Sequence, residues 1–133
     1  MFENLTEHLV KFDNDLDFED LQPGQGGTYL SELRDPSGDV VATVDASYKI
    51  IMRRDSDGEL MTCITEKLAF ADGDMHVEGW ARFSNITSGE WLYLPVSGVS
   101  GRYAGRTGLR QWRPIEPGKV GEAKILFFTT LLS

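Results

Sequence analysis

The chain has 133 residues, 41% of them hydrophobic and 26% charged, which is typical of one folded domain with a packed core. Its formal net charge of -8 disfavours binding to nucleic acid or to an anionic membrane, because phosphate groups repel a surplus of carboxylates. We therefore predict a single domain over residues 1–133 that has neither nucleic acid nor a membrane as a partner.

The first residues and the cysteine content predict the compartment. Residues 1–10 contain neither the basic region nor the apolar region of a secretory signal, and no stretch approaches the roughly 20 apolar residues of a membrane span. Cys63 is the single cysteine, so the chain cannot form an internal disulfide, which fits a reducing environment. These features predict a cytoplasmic protein.

Apolar and polar residues alternate with a period of two along most of the chain, which predicts strands rather than helices. Between residues 40 and 50 every even-numbered side chain is apolar or aromatic. Residues 60–70 alternate in the same way, with Glu66 as the charged residue on the apolar face. Such one-sided strands are typical of antiparallel sheets. We place strands near residues 5–12, 27–34, 39–53, 59–70, 74–84, 90–97, 101–113 and 121–131.

Turn-forming residues separate these strands at short intervals. Segments rich in Asp, Gly and Pro at 35–39, 55–58 and 71–74 are typical of hairpin turns, and further turns fall at 87–89 and 116–118. A meander of eight strands exposes two edges unless the sheet closes on itself. We therefore predict an all-β fold, an eight-stranded antiparallel up-and-down β-barrel with a central apolar pocket.

The segment GVSGRYAGRTGLRQWRP, residues 98–114, concentrates glycines and basic residues. Its glycines are followed neither by GK[ST] nor by a helix, as a phosphate-binding loop requires. We interpret them as bends in a barrel strand, where glycine permits bulges.

Other candidate sites are incomplete. The sequence at 55–58 begins like a calcium loop but lacks the glutamate that completes one, so we interpret it as a hairpin turn. His76 and Glu78 share a strand face, and only His8 could add a second imidazole. Cys63 has no predictable histidine partner. We predict no metal site and no nucleophilic catalysis.

Trp112 and Arg110 form a more informative pair. An indole is costly to leave in water, so Trp112 is expected to face the interior, and alternation then places Arg110 inside as well. A buried guanidinium requires a carboxylate partner. Glu7 and Glu66 both lie on apolar strand faces and are the candidates. The alternative is that Arg110 points outward like Arg113, while Trp112 alone fills the core.

The segment WLYLPVSGVSGRYAGRTGLRQWRP, with the earlier MHVEGWARFSN, resembles the spirotetronate cyclases. These are small β-barrel Diels–Alderases of polyketide biosynthesis, typified by the abyssomicin cyclase, within the allene-oxide-cyclase-like barrel group. The similarity is strongest over residues 58–128, where the hairpin lengths also agree, and it extends back to Gly24. The first twenty residues carry little of it.

The resemblance implies an enzyme that folds a linear polyketide inside the barrel and catalyses an intramolecular [4+2] cycloaddition. The family's substrate carries a tetronate ring with an exocyclic methylene, the dienophile, and a distant conjugated diene; the product is a spirotetronate. Because this isomerisation moves no proton, it needs no catalytic triad. The resemblance further implies that no metal or organic cofactor takes part and that the protein is a homodimer.

Carried over by position, the resemblance implies which residues form the site. The family's pocket tryptophan falls on Trp112, its buried arginine on Arg110 and the carboxylate partner of that arginine on Glu7. We take these three as the catalytic residues. The expected substrate-binding residues are Tyr29, Ile64, Phe83, Leu94 and Pro114, with Tyr48 added by strand alternation alone.

Two departures from the family keep the substrate open. Ile64 and Leu94 occupy positions where the typical member has tyrosines, so the pocket has fewer hydroxyl groups. Alternatives are a non-catalytic carrier of a small apolar ligand, or a different cyclase on the same barrel, of the allene-oxide or decalin-forming type. We interpret Arg110 as a structural bridge, and we expect the N-terminal strand and the loop 22–27 to gate the pocket.

Overall fold

The structure, a computed structural model that describes residues 2–128, is a closed barrel of eight antiparallel strands. The strands are β1 (Phe2–Asn14), β2 (Gly26–Arg34), β3 (Val40–Arg53), β4 (Leu60–Phe70), β5 (Gly73–Arg82), β6 (Leu92–Gly98), β7 (Thr107–Glu116) and β8 (Val120–Phe127). Each strand pairs with its neighbours in sequence, and β1 also pairs with β8 to close the sheet. The predicted up-and-down barrel is confirmed.

Closure explains how a short chain manages its sheet edges, because every strand finds a partner on both sides. The predicted strand at 121–131 ends at Phe127, and residues 129–131 lie outside the described residues. Within residues 2–128, no helix has the length and apolar character needed to cross a bilayer.

The barrel interior is built by the alternation that the sequence shows. All even-numbered residues of β4 are buried, including Thr62 and Glu66. The even-numbered residues of β3 from Ala42 to Ile50 are buried as well. Val40 is exposed, contrary to the alternation, because the β2–β3 register shifts at Arg34, where the hairpin turn begins.

The segment after β5 differs from the predicted strand 74–84. The strand ends at Arg82, and a short helix, α1 (Phe83–Thr87), follows. Five residues carry too little helical periodicity to be detected from the sequence. Phe83 is nevertheless buried, where it packs with Ile50 and Leu60 at one end of the barrel.

The glycine-rich segment was also interpreted wrongly in part. Residues 101–106 are not a bent strand but a connection between β6 and β7 that contains a 3₁₀ turn, Gly101–Tyr103. The connection folds back against the end of β6, where a Cβ at Gly98 would stand 1.6 Å from the carbonyl oxygen of Tyr103. Glycine at this position permits the close approach of two backbones.

This connection closes one end of the barrel. It places Tyr103 against Phe70 and Phe127, with ring centroids 5.4 and 5.9 Å apart, and Phe2 stacks on Phe70 at 4.7 Å. The hydroxyl of Tyr103 donates to Asp72 Oδ1 at 2.6 Å. Aromatic packing fills this end, so an internal site can open only at the other.

Candidate active site

A cavity of about 370 Å³ occupies the open end of the barrel. Its wall comes from every strand except β5, and from α1. All but one of the predicted site residues line this cavity: Glu7, Tyr29, Tyr48, Ile64, Phe83, Leu94, Arg110 and Trp112. Most other lining side chains are apolar, so the predicted central apolar pocket is present in the structure.

Pro114 differs from the other predicted site residues. It is buried, but it is not among the residues that line the cavity. It shares the parity of Trp112, yet the register between β7 and β8 shifts just after Pro114, which redirects this part of the strand. Alternation alone could not reveal this irregularity.

The floor of the cavity holds a buried charged network centred on Arg110. Its guanidinium donates from Nη2 to Glu7 Oε1 at 2.5 Å and from Nε to Glu66 Oε1 at 3.0 Å, and Nη2 also lies 3.3 Å from Glu66 Oε2. The hydroxyl of Tyr29 donates to the same Glu66 oxygen through a short hydrogen bond. Arg110 therefore points inward and bridges both candidate carboxylates rather than one of them.

The electrostatics of this floor follow from burial. Desolvation raises the pKa of the Glu7 carboxyl, although the Arg110 cation opposes the shift. Burial would by itself lower the pKa of Arg110, but the Glu66 and Glu7 carboxylates raise it above its usual value. Desolvation likewise raises the pKa of Tyr29. Arg110 stays charged, and the floor carries two carboxyl groups for one cation.

The walls above the floor are aromatic and aliphatic. Tyr29 and Tyr48 lie with ring centroids 6.0 Å apart, and Leu94 and Trp112 flank the cavity on the neighbouring strands β6 and β7. The Tyr48 hydroxyl has no hydrogen-bond partner among residues 2–128, and burial raises the pKa of Tyr48 to about 12. It is a neutral, buried hydroxyl without a partner among these residues.

Arg113, by contrast, lies on the outside of the barrel. It pairs with Glu122 at 2.9 Å, and its guanidinium carbon stands 4.8 Å from the centre of the Trp91 ring. Arg110 and Arg113 therefore have different environments: Arg110 lies inside the barrel, as strand alternation predicted, and the alternative in which it points outward like Arg113 is wrong.

The mouth contains residues that sequence reasoning missed. Leu16 and Phe18 come from the segment after β1, Ile86 comes from α1, and the turn 117–119 comes from the β7–β8 hairpin. The apolar residues in the acidic stretch DNDLDFEDL were the available signal, because leucine and phenylalanine in a polar loop commonly cover an apolar opening.

The segment between β1 and β2 is tied to the barrel. The amide of Gly24 donates to the carbonyl of Ile50 at 2.7 Å, and the Ile50 amide donates to the Gln25 carbonyl at 2.8 Å. The Asp15 side chain accepts from the Gly26 amide at 2.7 Å. The part that directly covers the cavity is thus 16–18, whereas 24–26 is its anchor. The gating role of this region stays a prediction.

The candidate metal ligands do not converge. His8 lies 3.0 Å from the Thr6 hydroxyl, His76 pairs with Glu78 at the surface, and Cys63 is half-buried in another part of the sheet. Within residues 2–128 no three His, Cys, Asp or Glu side chains form a group that could hold a metal ion.

The sequence and fold match a known family. Residues 6–127 match the family described as the allene oxide cyclase barrel like domain. The chain belongs to this family. The resemblance to the spirotetronate cyclases is confirmed by solved structures of Diels–Alderases with the same barrel. A comparison with curated proteins gave no match.

Two of these structures show the similarity. AbnU, an exo-specific intermolecular Diels–Alderase, is 35% identical with a TM-score of 0.85, and the match covers 91% of this chain and 90% of AbnU. The Diels–Alderase AbmU from Streptomyces koyangensis is 32% identical with a TM-score of 0.88, over 97% of this chain and 63% of AbmU. This chain therefore spans less than two thirds of AbmU.

A third solved structure introduces haem. It is described as a nonspecific heme-binding cyclase that catalyses [4 + 2] cycloaddition during neoabyssomicin biosynthesis. It is 32% identical over 97% of this chain and 64% of its own, with a TM-score of 0.88. Haem iron is held by His, Cys, Met or Tyr. Among the described residues that line our cavity, tyrosine is the only such ligand, and Tyr29 is already bonded to Glu66.

Proposed function

We propose that this protein is a Diels–Alderase that closes a cyclohexene ring by intramolecular [4+2] cycloaddition of a linear tetronate polyketide, forming a spirotetronate. The observation that carries the proposal is the apolar cavity with a single charged floor, in a chain 35% identical to a Diels–Alderase over 91% of its length. A cycloaddition needs no nucleophile, and the described residues that line the cavity form none of the usual triads.

The physical basis is confinement. The main barrier to closing a ring from a flexible chain is bringing diene and dienophile together, and holding reacting groups near attack geometry is worth up to about 7–11 kcal/mol in favourable cases. A cavity of about 370 Å³ forces a long substrate to fold. The flat Trp112 indole on β7 offers a surface on which a planar tetronate or diene can stack.

We propose that the reaction requires no cofactor. One relative binds haem, but the donor set of this cavity does not fit a haem site. Among the described residues that line the cavity, the tyrosine hydroxyl without a hydrogen-bond partner is that of Tyr48, and no cation of residues 2–128 contributes to its pKa shift or would stabilise its anion. Asp15 acts in the opposite direction and helps burial to raise the pKa of Tyr48. Haem therefore has no part in the proposed reaction.

The assembly and compartment belong to the same proposal. We propose a homodimer, which is supported by the exposed aromatic side chains of Trp80 and Tyr93 on the outer faces of β5 and β6. The free thiol of Cys63 supports a cytoplasmic location. Analytical ultracentrifugation tests the first statement: a mass of about 15 kDa at micromolar concentration would contradict it.

The test of function is turnover of a linear substrate with a terminal diene and a methylene tetronate. The purified protein is expected to form the spiro product faster than the uncatalysed reaction, as followed by liquid chromatography with mass detection. Trp112→Ala should reduce kcat/KM roughly 10- to 100-fold while keeping the barrel's circular dichroism. Binding without acceleration would instead identify a carrier, and a different ring product would identify another cyclase.

A further inference from the structure

The floor of the cavity holds two buried carboxyl groups and one buried cation. Glu7, Glu66 and Arg110 are each at most 6% exposed. If both carboxyl groups were ionised, the floor would carry an uncompensated negative charge in an apolar enclosure, which is strongly unfavourable. Two carboxyl groups that face one another in such a place commonly share one proton.

The two carboxyl groups differ in the hydrogen bonds that they accept. Glu66 accepts from Arg110 Nε and Nη2 and from the Tyr29 hydroxyl, so both of its oxygens are stabilised by donors. Glu7 accepts from Arg110 through one oxygen. Among residues 2–128 its other hydrogen-bonding neighbour is the Ser31 hydroxyl, which can donate to a carboxylate or accept from a carboxylic acid. The negative charge is better stabilised on Glu66.

Within the described residues 2–128, Arg110 is the cation that acts on Glu7. The charged and titratable groups that face it are Glu66 from β4, Arg110 from β7 and Tyr29 from β2, whereas β8 places Gly121 opposite it. Desolvation, the largest effect, and the nearby Glu66 both raise the pKa of Glu7. Both effects favour the neutral acid; the Arg110 cation opposes them, but the pKa of Glu7 is still raised.

We propose that Glu7 is a protonated carboxylic acid at neutral pH, and that its O–H is the hydrogen-bond donor that the floor offers to a carbonyl oxygen of the substrate. Glu7 lines the cavity, so a ligand that reaches the floor meets it. A hydrogen bond to the carbonyl conjugated with the dienophile withdraws electron density and lowers the cycloaddition barrier. No proton is transferred, and no bond to Glu7 forms.

Arg110 supports this location for a ligand oxygen. Its Nη1 atom is buried and has no hydrogen-bond partner among residues 2–128, so the floor lacks one acceptor. A buried unpaired donor is costly, and a ligand oxygen placed there would satisfy it. The role assigned to Glu7 rests on the proposed function, whereas its protonation does not.

The first experiment needs no substrate. Protein carrying glutamate labelled with ¹³C at Cδ is titrated by NMR from pH 4.5 to pH 9, and the Glu7 resonance is assigned by its loss in Glu7→Gln. We expect the Glu7 signal at pH 7 at the position of a protonated acid. A signal at the ionised position at pH 7 would overturn the proposal. Glu122→Gln, on the outer surface, is the matched control and should leave the Glu7 signal unchanged.

The second experiment compares two neutral replacements of similar size. Glu7→Gln keeps an N–H donor and is expected to retain kcat/KM within about threefold, whereas Glu7→Met has no donor and should lose about tenfold. The wild-type rate should fall as pH rises through the Glu7 titration, and the Glu7→Gln rate should not. Equal rates for the two variants would refute the donor role. No cycloaddition by the wild type would refute the proposed function but leave the NMR result standing.

Discussion

The indole of Trp112 lies across Gly121, where the absence of a side chain leaves room for it. A Cβ at Gly121 would come within 2.4 Å of Trp112 Nε1 and 3.0 Å of its Cε2. Gly121 also pairs with Glu7 on β1 and with Pro114 on β7. Gly121 therefore sets the position of the Trp112 indole and lies opposite Glu7 in the sheet.

Gly121→Ala is expected to displace the Trp112 indole and to reduce kcat/KM by roughly 10-fold or more, because a misplacement of about 1 Å in a positioning group is costly. The added methyl also meets the carbonyl oxygen of Arg113 at 2.7 Å, so Tm should fall. Indole fluorescence and thermal unfolding measure both effects. Gly38→Ala, in the β2–β3 hairpin turn and away from the cavity, is a spatial control, since no atom lies within 4 Å of its Cβ position; its φ of +90° adds backbone strain. An unchanged rate in Gly121→Ala would contradict the assigned position of Trp112.

Leu94→Tyr should narrow the cavity and change the substrate range. Leu94 lies opposite Arg110 on the neighbouring strand, and its Cδ2 is already 2.9 Å from the position of a Cβ at Gly79. We therefore expect binding of the largest substrates to weaken while shorter chains still react, as seen in KM across a substrate series. Tyr93→Phe, which alters an exposed side chain on the same strand, should leave KM unchanged for both long and short substrates. Equal KM shifts for short and long chains would contradict a steric effect.

Arg110→Met should lower the free energy of unfolding by about 3–5 kcal/mol, because it leaves the Glu66 and Glu7 carboxyl groups buried without their cation. Urea denaturation measures the change. Arg113→Met removes a half-exposed ion pair with Glu122 and should cost at most about 1 kcal/mol. Similar losses in the two variants would show that the Arg110 network is not a desolvated one.

Stability should also depend on pH through Glu7. Because the folded-state pKa of Glu7 is raised, the folded protein binds a proton that the unfolded chain releases near pH 4.5. The contribution of Glu7 to the free energy of unfolding is complete below pH 4.5 and is lost as the pH rises through the folded-state pKa of Glu7. Between these two pKa values the loss is about 1.4 kcal/mol per pH unit. The unfolding free energy of wild type minus that of Glu7→Gln should therefore decrease with rising pH. A difference that stays constant or increases would contradict the raised pKa.

Tyr103→Phe tests the opposite end of the barrel. It removes the hydrogen bond to Asp72, which is the main cause of the lowered pKa of Asp72. We expect Tm to fall by a few degrees and the Asp72 pKa to rise toward its usual value, as measured by calorimetry and NMR. The cycloaddition rate should be unchanged, since Tyr103 does not line the cavity. A large loss of rate would show that the closed end contributes to the site.

Strand alternation by itself determined most of the barrel wall. The inward faces of β3 and β4 follow directly from apolar residues at every second position, because successive side chains of a strand point to opposite sides. The same rule placed Trp112 and Arg110 on one face and identified Glu66 as a charge among apolar residues. Alternation is a property of neighbouring residues in one strand, so it can be recognised without knowledge of the fold.

Only the tertiary structure decided how these residues meet. Glu66 and Glu7 are 44 and 103 residues from Arg110 in sequence, and their meeting depends on the closure and stagger of the sheet. The sequence left open which carboxylate pairs with the arginine, and the structure shows both. Helix α1, the 3₁₀ turn and the register shift after Pro114 were not predicted, because short or irregular backbone carries no periodic signal. The sequence alone determined which side chains of the strands face the interior, because alternation is local. Closure of the barrel decided which end opens and that Glu7, Glu66 and Arg110 meet at the floor of the cavity.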